Sequence, residues 1–115
     1  MGGRAERVGG LLLRELSSLL LRGAKDPRLR GVHFTRVQVS EDLQHAKVYF
    51  SRLGALEGLE EALQGLESAR GFLRASLRKS LRLRRIPSLV FIPDHSLAEG
   101  DRVQRLLRGL GGGAP

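Results

Sequence analysis

Between Arg70 and Arg85 the chain carries seven basic side chains, Arg70, Arg74, Arg78, Lys79, Arg82, Arg84 and Arg85, and no Asp or Glu. Guanidinium and ammonium groups at that density suit one task above others, holding phosphate oxygens through charge-assisted hydrogen bonds. On a helical wheel at about 100° per residue, Arg74, Arg78, Arg82 and Arg85 span about 80°, beside a separate arc of Leu73, Leu77 and Leu81. The leucine arc is suited to a core, so the arginine arc should face outward. With a rise of about 6 Å per four residues, the row can follow successive phosphates, flanked by Lys79, Arg84 and Arg70. The plain alternative is a solvated helix face. Such faces normally mix signs, and the absence of any acid here favours a binding role. Seven contacts to a single strand would make log affinity fall against log salt with a slope of about −5.

Catalytic chemistry finds no comparable support. His33, His45 and His95 are scattered without a ligand spacing, and each reads better as a surface or strand-end residue than as a metal ligand. Asp94, Glu99 and Asp101 cluster near the last helix, where capping and the helix dipole account for them. There is no G-x-S-x-G, no P-loop and no cysteine, hence no thiol nucleophile, cysteine-zinc site or disulfide. The expectation is a protein that is not an enzyme, with no metal and no cofactor.

A chain of 115 residues with 41% hydrophobic and 28% charged residues fits one folded domain. Its net charge of +8 points to a polyanionic partner. Aromatic residues are few, Tyr49 and four Phe, which favours contacts to phosphate and shape over extensive base stacking. The apolar runs are too short to span a bilayer, and the first residues do not form a secretory signal, so a cytoplasmic location without a membrane partner is expected. A basic amphipathic helix lying on anionic lipid is a weaker reading, because the apolar arc holds no Trp and is needed for the core.

The elements that must position the basic run can be read in order. Val8, Leu12, Leu16, Leu19 and Leu20 recur at helical spacing between Arg4 and Arg22, with Gly23 a plausible cap. Lys25-Asp26-Pro27-Arg28 is a turn. A period of two follows, with His33, Thr35, Val37 and Val39 on one face and Phe34, Arg36 and Gln38 on the other. A second strand has Ala46, Val48 and Phe50 alternating with Lys47, Tyr49 and Ser51, and the two form an antiparallel hairpin. Leu59, Leu63 and Leu66 define another helix with an acidic outer face. Ala69-Arg70-Gly71 marks its break from a third helix, about 72 to 85, whose first N–H groups offer a further phosphate site. Leu89 to Ile92 is a strand near a sheet edge, parallel to the second. Ser96 and Glu99 cap a final helix with Val103, Leu106 and Leu107 inward, and residues 109–115 form a loose Gly-rich tail after a single domain over 1–108.

Four ordered stretches together resemble the ribosome-binding factor A family: "KDPRL" at 25–29, "VSEDLQHAKVYFS" at 39–51, "SARGFLR" at 68–74 and "LRLRRIPSLVFIPDHSLAEGDRVQRLL" at 81–107. The resemblance implies an α+β, KH-like type II domain: a three-stranded mixed sheet with helices on one face, in the order α-β-β-α-α-β-α. It implies a non-catalytic ribosome biogenesis factor that binds the small ribosomal subunit or its precursor and the small-subunit rRNA. Such a factor promotes maturation of the 5′ end region of that rRNA, particularly in the cold. Off the ribosome we expect a monomer. In ordinary KH domains a GxxG loop joins the two central helices; in this family an Ala-x-Gly kink replaces it, here Ala69 and Gly71 around Arg70. Arg74, Arg78, Lys79, Arg82 and Arg85 are then the expected RNA grip, with Arg70 and Arg84 flanking. Lys25 and Arg28 either add contacts or shape their turn. A structural ribosomal protein and a sequence-specific DNA-binding helix-turn-helix protein are the rival readings; the basic helix has little besides Arg and Lys to read base edges.

Overall fold

The computed structural model describes residues 3–23, 25–52 and 58–95. Helix α1 spans Gly3–Gly23 and places Val8, Leu12 and Leu16 in the core, with Leu19 and Leu20 packed at its margin. That is the stripe expected from apolar residues at helical spacing. Pro27–Leu29 forms a single 3₁₀ turn, opened by Asp26, whose side chain accepts a hydrogen bond from the Arg28 N–H at 2.9 Å. Strand β1 (Val32–Val39) and strand β2 (His45–Arg52) pair antiparallel, and strand β3 (Ser88–Pro93) pairs parallel to β2, giving the sheet order β1-β2-β3. A parallel return needs a long crossover. Helix α2, Leu59–Ser80, supplies it. Both helices pack on the same face of the sheet and on each other, so the architecture is α+β with a mixed sheet.

The core lies between helices and sheet. Phe50, Leu12, Leu16, Leu66, Leu77 and Val48 are fully buried there. The faces of β1 differ from simple alternation. Phe34 opposes Phe50 and Arg36 opposes Tyr49, so Thr35 is an extra residue on β1. This bulge moves the inward set from Val32 and Phe34 to Val37 and Val39. Phe34 therefore shares the inner face with Val37 and Val39, and the single period of two expected over 33–40 is wrong by one residue beyond the bulge. The bulged Thr35 hydroxyl donates to Asp94 Oδ2 at 2.6 Å, and the Asp94 N–H donates to the Phe50 carbonyl at 2.7 Å.

A larger correction concerns the central helices. The chain runs without interruption from Leu59 to Ser80, through Ala69-Arg70-Gly71, and Gly71 does not adopt a left-handed conformation. The break expected there is absent, and with it the separate start of a third helix and its free N–H groups. The helix also stops at Ser80, five residues before the expected end. Leu81 is extended, and its N–H closes the last turn on the Leu77 carbonyl at 2.8 Å. From Leu81 onward the side chains alternate: Leu81 and Leu83 lean on the core, Arg82 and Arg84 point to solvent, and Ile86 and Pro87 are buried. Described residues thus give α-β-β-α-β. The final helix, its Ser96 cap, Glu99, Asp101 and the tail lie outside the described residues.

Candidate nucleic-acid interface

The basic run divides where α2 ends. Arg74 and Arg78 stand on the helix; Arg82, Arg84 and Arg85 stand on the extended segment that leads into β3. The single wheel arc therefore does not exist. What replaces it is a bent surface, with Arg78 and Lys79 on the last helical turn continuing into Arg82, Arg84 and Arg85. All five are exposed, and none makes a hydrogen bond or ion pair within the described residues. No acid stands among them in sequence.

Arg74 and Arg70 behave differently. Arg74 donates from its terminal guanidinium nitrogen to the Ile86 carbonyl at 2.9 Å, tying α2 to the 81–87 segment twelve residues away. Arg70 pairs with Glu67 one turn back, and its guanidinium carbon lies 5.8 Å from the centre of the Phe91 ring. The Nε of each is buried and makes no hydrogen bond among the described residues. These two cations hold helix, segment and sheet together. Arg28 is also engaged: it forms a fork on the Asp26 carboxylate, with Nη2 to Oδ2 at 2.7 Å, and reaches the Ser68 hydroxyl on α2 at 3.3 Å. Those hydrogen bonds from the Arg28 side chain and backbone hold the Asp26 carboxyl below the usual carboxylate range, and the same pair raises Arg28. Lys25 is exposed beside this turn and has no such partner among the described residues.

Gly71 faces outward on α2. A Cβ built there would meet nothing within 4 Å, so neither backbone conformation nor internal packing calls for glycine. In a helix interior it costs about 1 kcal/mol relative to Ala. Phe72 beside it is 61% exposed. Sequence reasoning passed over Phe72, although its position outside the Leu73 and Leu77 arc was a usable signal. It also passed over the alternation Leu81-Arg82-Leu83-Arg84, a period of two that marks an extended segment. On the sheet face away from the helices, the Arg36 guanidinium lies 4.0 Å from the centre of the Tyr49 ring. That pair depends on the bulge and was not readable beforehand. Ala69 is half-buried against the core.

Among the described residues no group of three or more His, Cys, Asp or Glu is arranged to hold a metal, and no helix is long and apolar enough to cross a membrane. A helix-turn-helix centred on Gly71 is incompatible with one continuous α2.

Comparison with known proteins gives a consistent answer. The family model described as ribosome-binding factor A matches residues 4–107. A ribosome-binding factor A from Dictyoglomus thermophilum is 45% identical over 109 residues, covering 94% of this chain and 91% of the relative. The crystal structure of ribosome-binding factor A from Thermus thermophilus superposes with a TM-score of 0.66 at 31% identity, over 77% of this chain and 94% of that one. A homology model of the Thermus thermophilus factor, fitted into a cryo-electron-microscopy map of its complex with the 30S subunit, matches with a TM-score of 0.65 at 31% identity, over 79% and 96% of the two chains.

Proposed function

Since this chain belongs to the ribosome-binding factor A family, we propose that it is a non-catalytic assembly factor that binds the small ribosomal subunit, or its precursor, through small-subunit rRNA. The observation that carries the RNA contact is the bent row of exposed cations Arg78, Lys79, Arg82, Arg84 and Arg85, with no acid in the sequence between them. Uncompensated charge on a folded surface is repulsive, and a phosphate backbone relieves it. Gly71 leaves bare helix backbone at the upstream end of that row, so an RNA strand can lie close against α2. Phe72 beside it presents a face for an unpaired base. Arg74 acts one step back, by tying α2 to the 81–87 segment, and Arg70 by lying near the Phe91 ring of β3; Ala69 and Gly71 mark the same stretch as in KH-like domains, without a clamp loop. Lys25 extends the surface, and Arg28 shapes its turn. In this reading the protein works in the cytoplasm without a cofactor, is monomeric off the ribosome and promotes maturation of the rRNA 5′ end region, including in the cold.

Sedimentation of the protein with isolated small and large subunits across a salt series tests the central claim. Selective, salt-sensitive retention on the small subunit is expected, and its loss on joint Arg78→Glu, Lys79→Glu and Arg82→Glu substitution. Equal retention on both subunits would reduce the protein to a general polycation. A strain lacking the protein should accumulate small-subunit rRNA with an unprocessed 5′ end, most strongly at low temperature.

A further inference from the structure

The first two turns of α1, the turn joining β1 to β2, and the segment after α2 border an open cleft of about 510 Å³. That lies within the range of about 300–1,000 Å³ typical of small-ligand sites. Val8, Leu43, Leu83 and Pro87 supply its apolar lining. Arg4, Arg84 and Arg85 line it too, against the single acid Asp42. The carboxylate is already committed. Asp42 Oδ1 accepts from the Ser40 hydroxyl at 2.6 Å and from the Gln44 N–H at 3.0 Å, and those hydrogen bonds hold its carboxyl below the usual range. The three arginines make no hydrogen bond or ion pair among the described residues.

Leu43 stands in the turn that borders the cleft. It is the one non-glycine residue with positive φ among those described, at 62°. A branched side chain in the left-handed region is strained. The hairpin connection calls for it: the Leu43 N–H donates to the Ser40 carbonyl at 2.9 Å, and a left-handed residue follows such a turn. The Ser40, Asp42 and Gln44 hydrogen bonds hold the turn closed, with Leu43 lining the cleft.

A cleft lined both by apolar side chains and by arginines without partners among the described residues has the chemistry of a nucleotide site: a base packs on the apolar side chains while phosphate oxygens take paired N–H donors from the guanidinium groups. We propose that this cleft takes one unpaired nucleotide of a single-stranded RNA, with the base against Leu43 and Leu83 and its phosphates on Arg4, Arg84 and Arg85. The assignment rests on the RNA contact proposed above, with which it shares Arg84 and Arg85, and it adds Arg4 and an apolar lining that a phosphate-tracking surface does not need.

The experiment titrates isotope-labelled protein with a mixed-sequence ten-nucleotide RNA, an abasic ribose-phosphate strand of the same length, and free nucleoside 5′-monophosphates. Amide shifts at Leu43, Gln44, Leu83 and Arg84 are followed by NMR, and affinity by fluorescence anisotropy. The base-bearing strand should shift these amides and the abasic strand should not. Arg4→Glu should weaken the base-bearing strand by about tenfold, and Arg14→Glu, an equal charge change on α1 outside the cleft, by less than about twofold. Leu43→Gly keeps the turn, since glycine suits its φ, and should weaken binding by about threefold. Shifts with monophosphates alone at similar concentration would support the site and name free nucleotide as its source. Equal shifts from the abasic strand, or equal losses from Arg4→Glu and Arg14→Glu, would overturn it. Small-subunit retention that persists in that event leaves the row from Arg78 to Arg85 standing, so the two readings fail separately.

Discussion

Arg70 and Arg74 sit in the same acid-free run as Arg78, Lys79, Arg82, Arg84 and Arg85, yet their surroundings differ in kind. The upstream pair is half-buried and engaged, one with Glu67 and the Phe91 ring, the other with the Ile86 carbonyl. The downstream five point away from the core and bind nothing among the described residues. A charge run in sequence is therefore two things here: a brace that sets the angle between helix and segment, and a row of cations that the brace presents. Counting charges treats all seven alike; geometry does not.

The largest expected effect separates the two groups by salt. If only the downstream five meet phosphates, log affinity for the small subunit should fall against log salt with a slope of about −3.5, rather than the slope of about −5 for all seven. The triple change Arg78→Glu, Lys79→Glu and Arg82→Glu should weaken retention by about a hundredfold near physiological salt. A slope near the seven-contact value would dissolve the distinction.

The converse test takes the brace. Arg74→Met removes the donor to the Ile86 carbonyl and should lower stability by about 1–3 kcal/mol in urea denaturation. The salt slope of the folded fraction should stay unchanged. Arg78→Met should leave the denaturation midpoint within error of wild type, because nothing in the described fold depends on that side chain.

Two glycines on α2 sharpen the contrast between inward and outward faces. A Cβ at Gly65 would lie 3.0 Å from Leu29 Cδ2 and 3.1 Å from Arg28 Cβ, so Gly65→Ala should push the 3₁₀ turn away and destabilise by about 1–2 kcal/mol. Gly71→Ala meets no atom and should stabilise the folded protein by about 0.5–1 kcal/mol, as for Ala in any helix interior. A matching drop in small-subunit binding for Gly71→Ala would show that bare backbone serves the RNA; unchanged binding would detach Gly71 from that surface.

The smallest effect is at low pH. Asp26 and Asp42 have folded-state values below the ordinary 3.8, so each favours the fold above that value and loses its contribution as pH falls through the lower folded value. The thermal midpoint should thus be insensitive to these groups from pH 5 to 8 and decline in acid. Asp26→Asn should lower the midpoint more at pH 7 than at pH 2.

The chain by itself determined the local elements. Leucine spacing marked α1 and the buried face of α2; alternation marked β2, and Asp26 before Pro27 marked the turn that the Arg28 N–H closes. The acid-free run and the family resemblance pointed to RNA, and the positions of Arg78, Lys79, Arg82, Arg84 and Arg85 were legible as candidates. Only the tertiary structure decided which of the basic residues are available. A helical wheel assumes the helix it is drawn on. It could not show that the helix ends at Ser80, after which Leu81, Leu83, Ile86 and Pro87 pack against the core from an extended segment. It could not show that α2 runs on as one helix through Gly71, since a glycine permits an interruption without requiring one. The Thr35 bulge, the Arg74 link to Ile86 and the cleft under Arg4 and Arg84 all join residues far apart in the chain. Periodicity reports what lies on one face of one element, and these features depend on which faces meet.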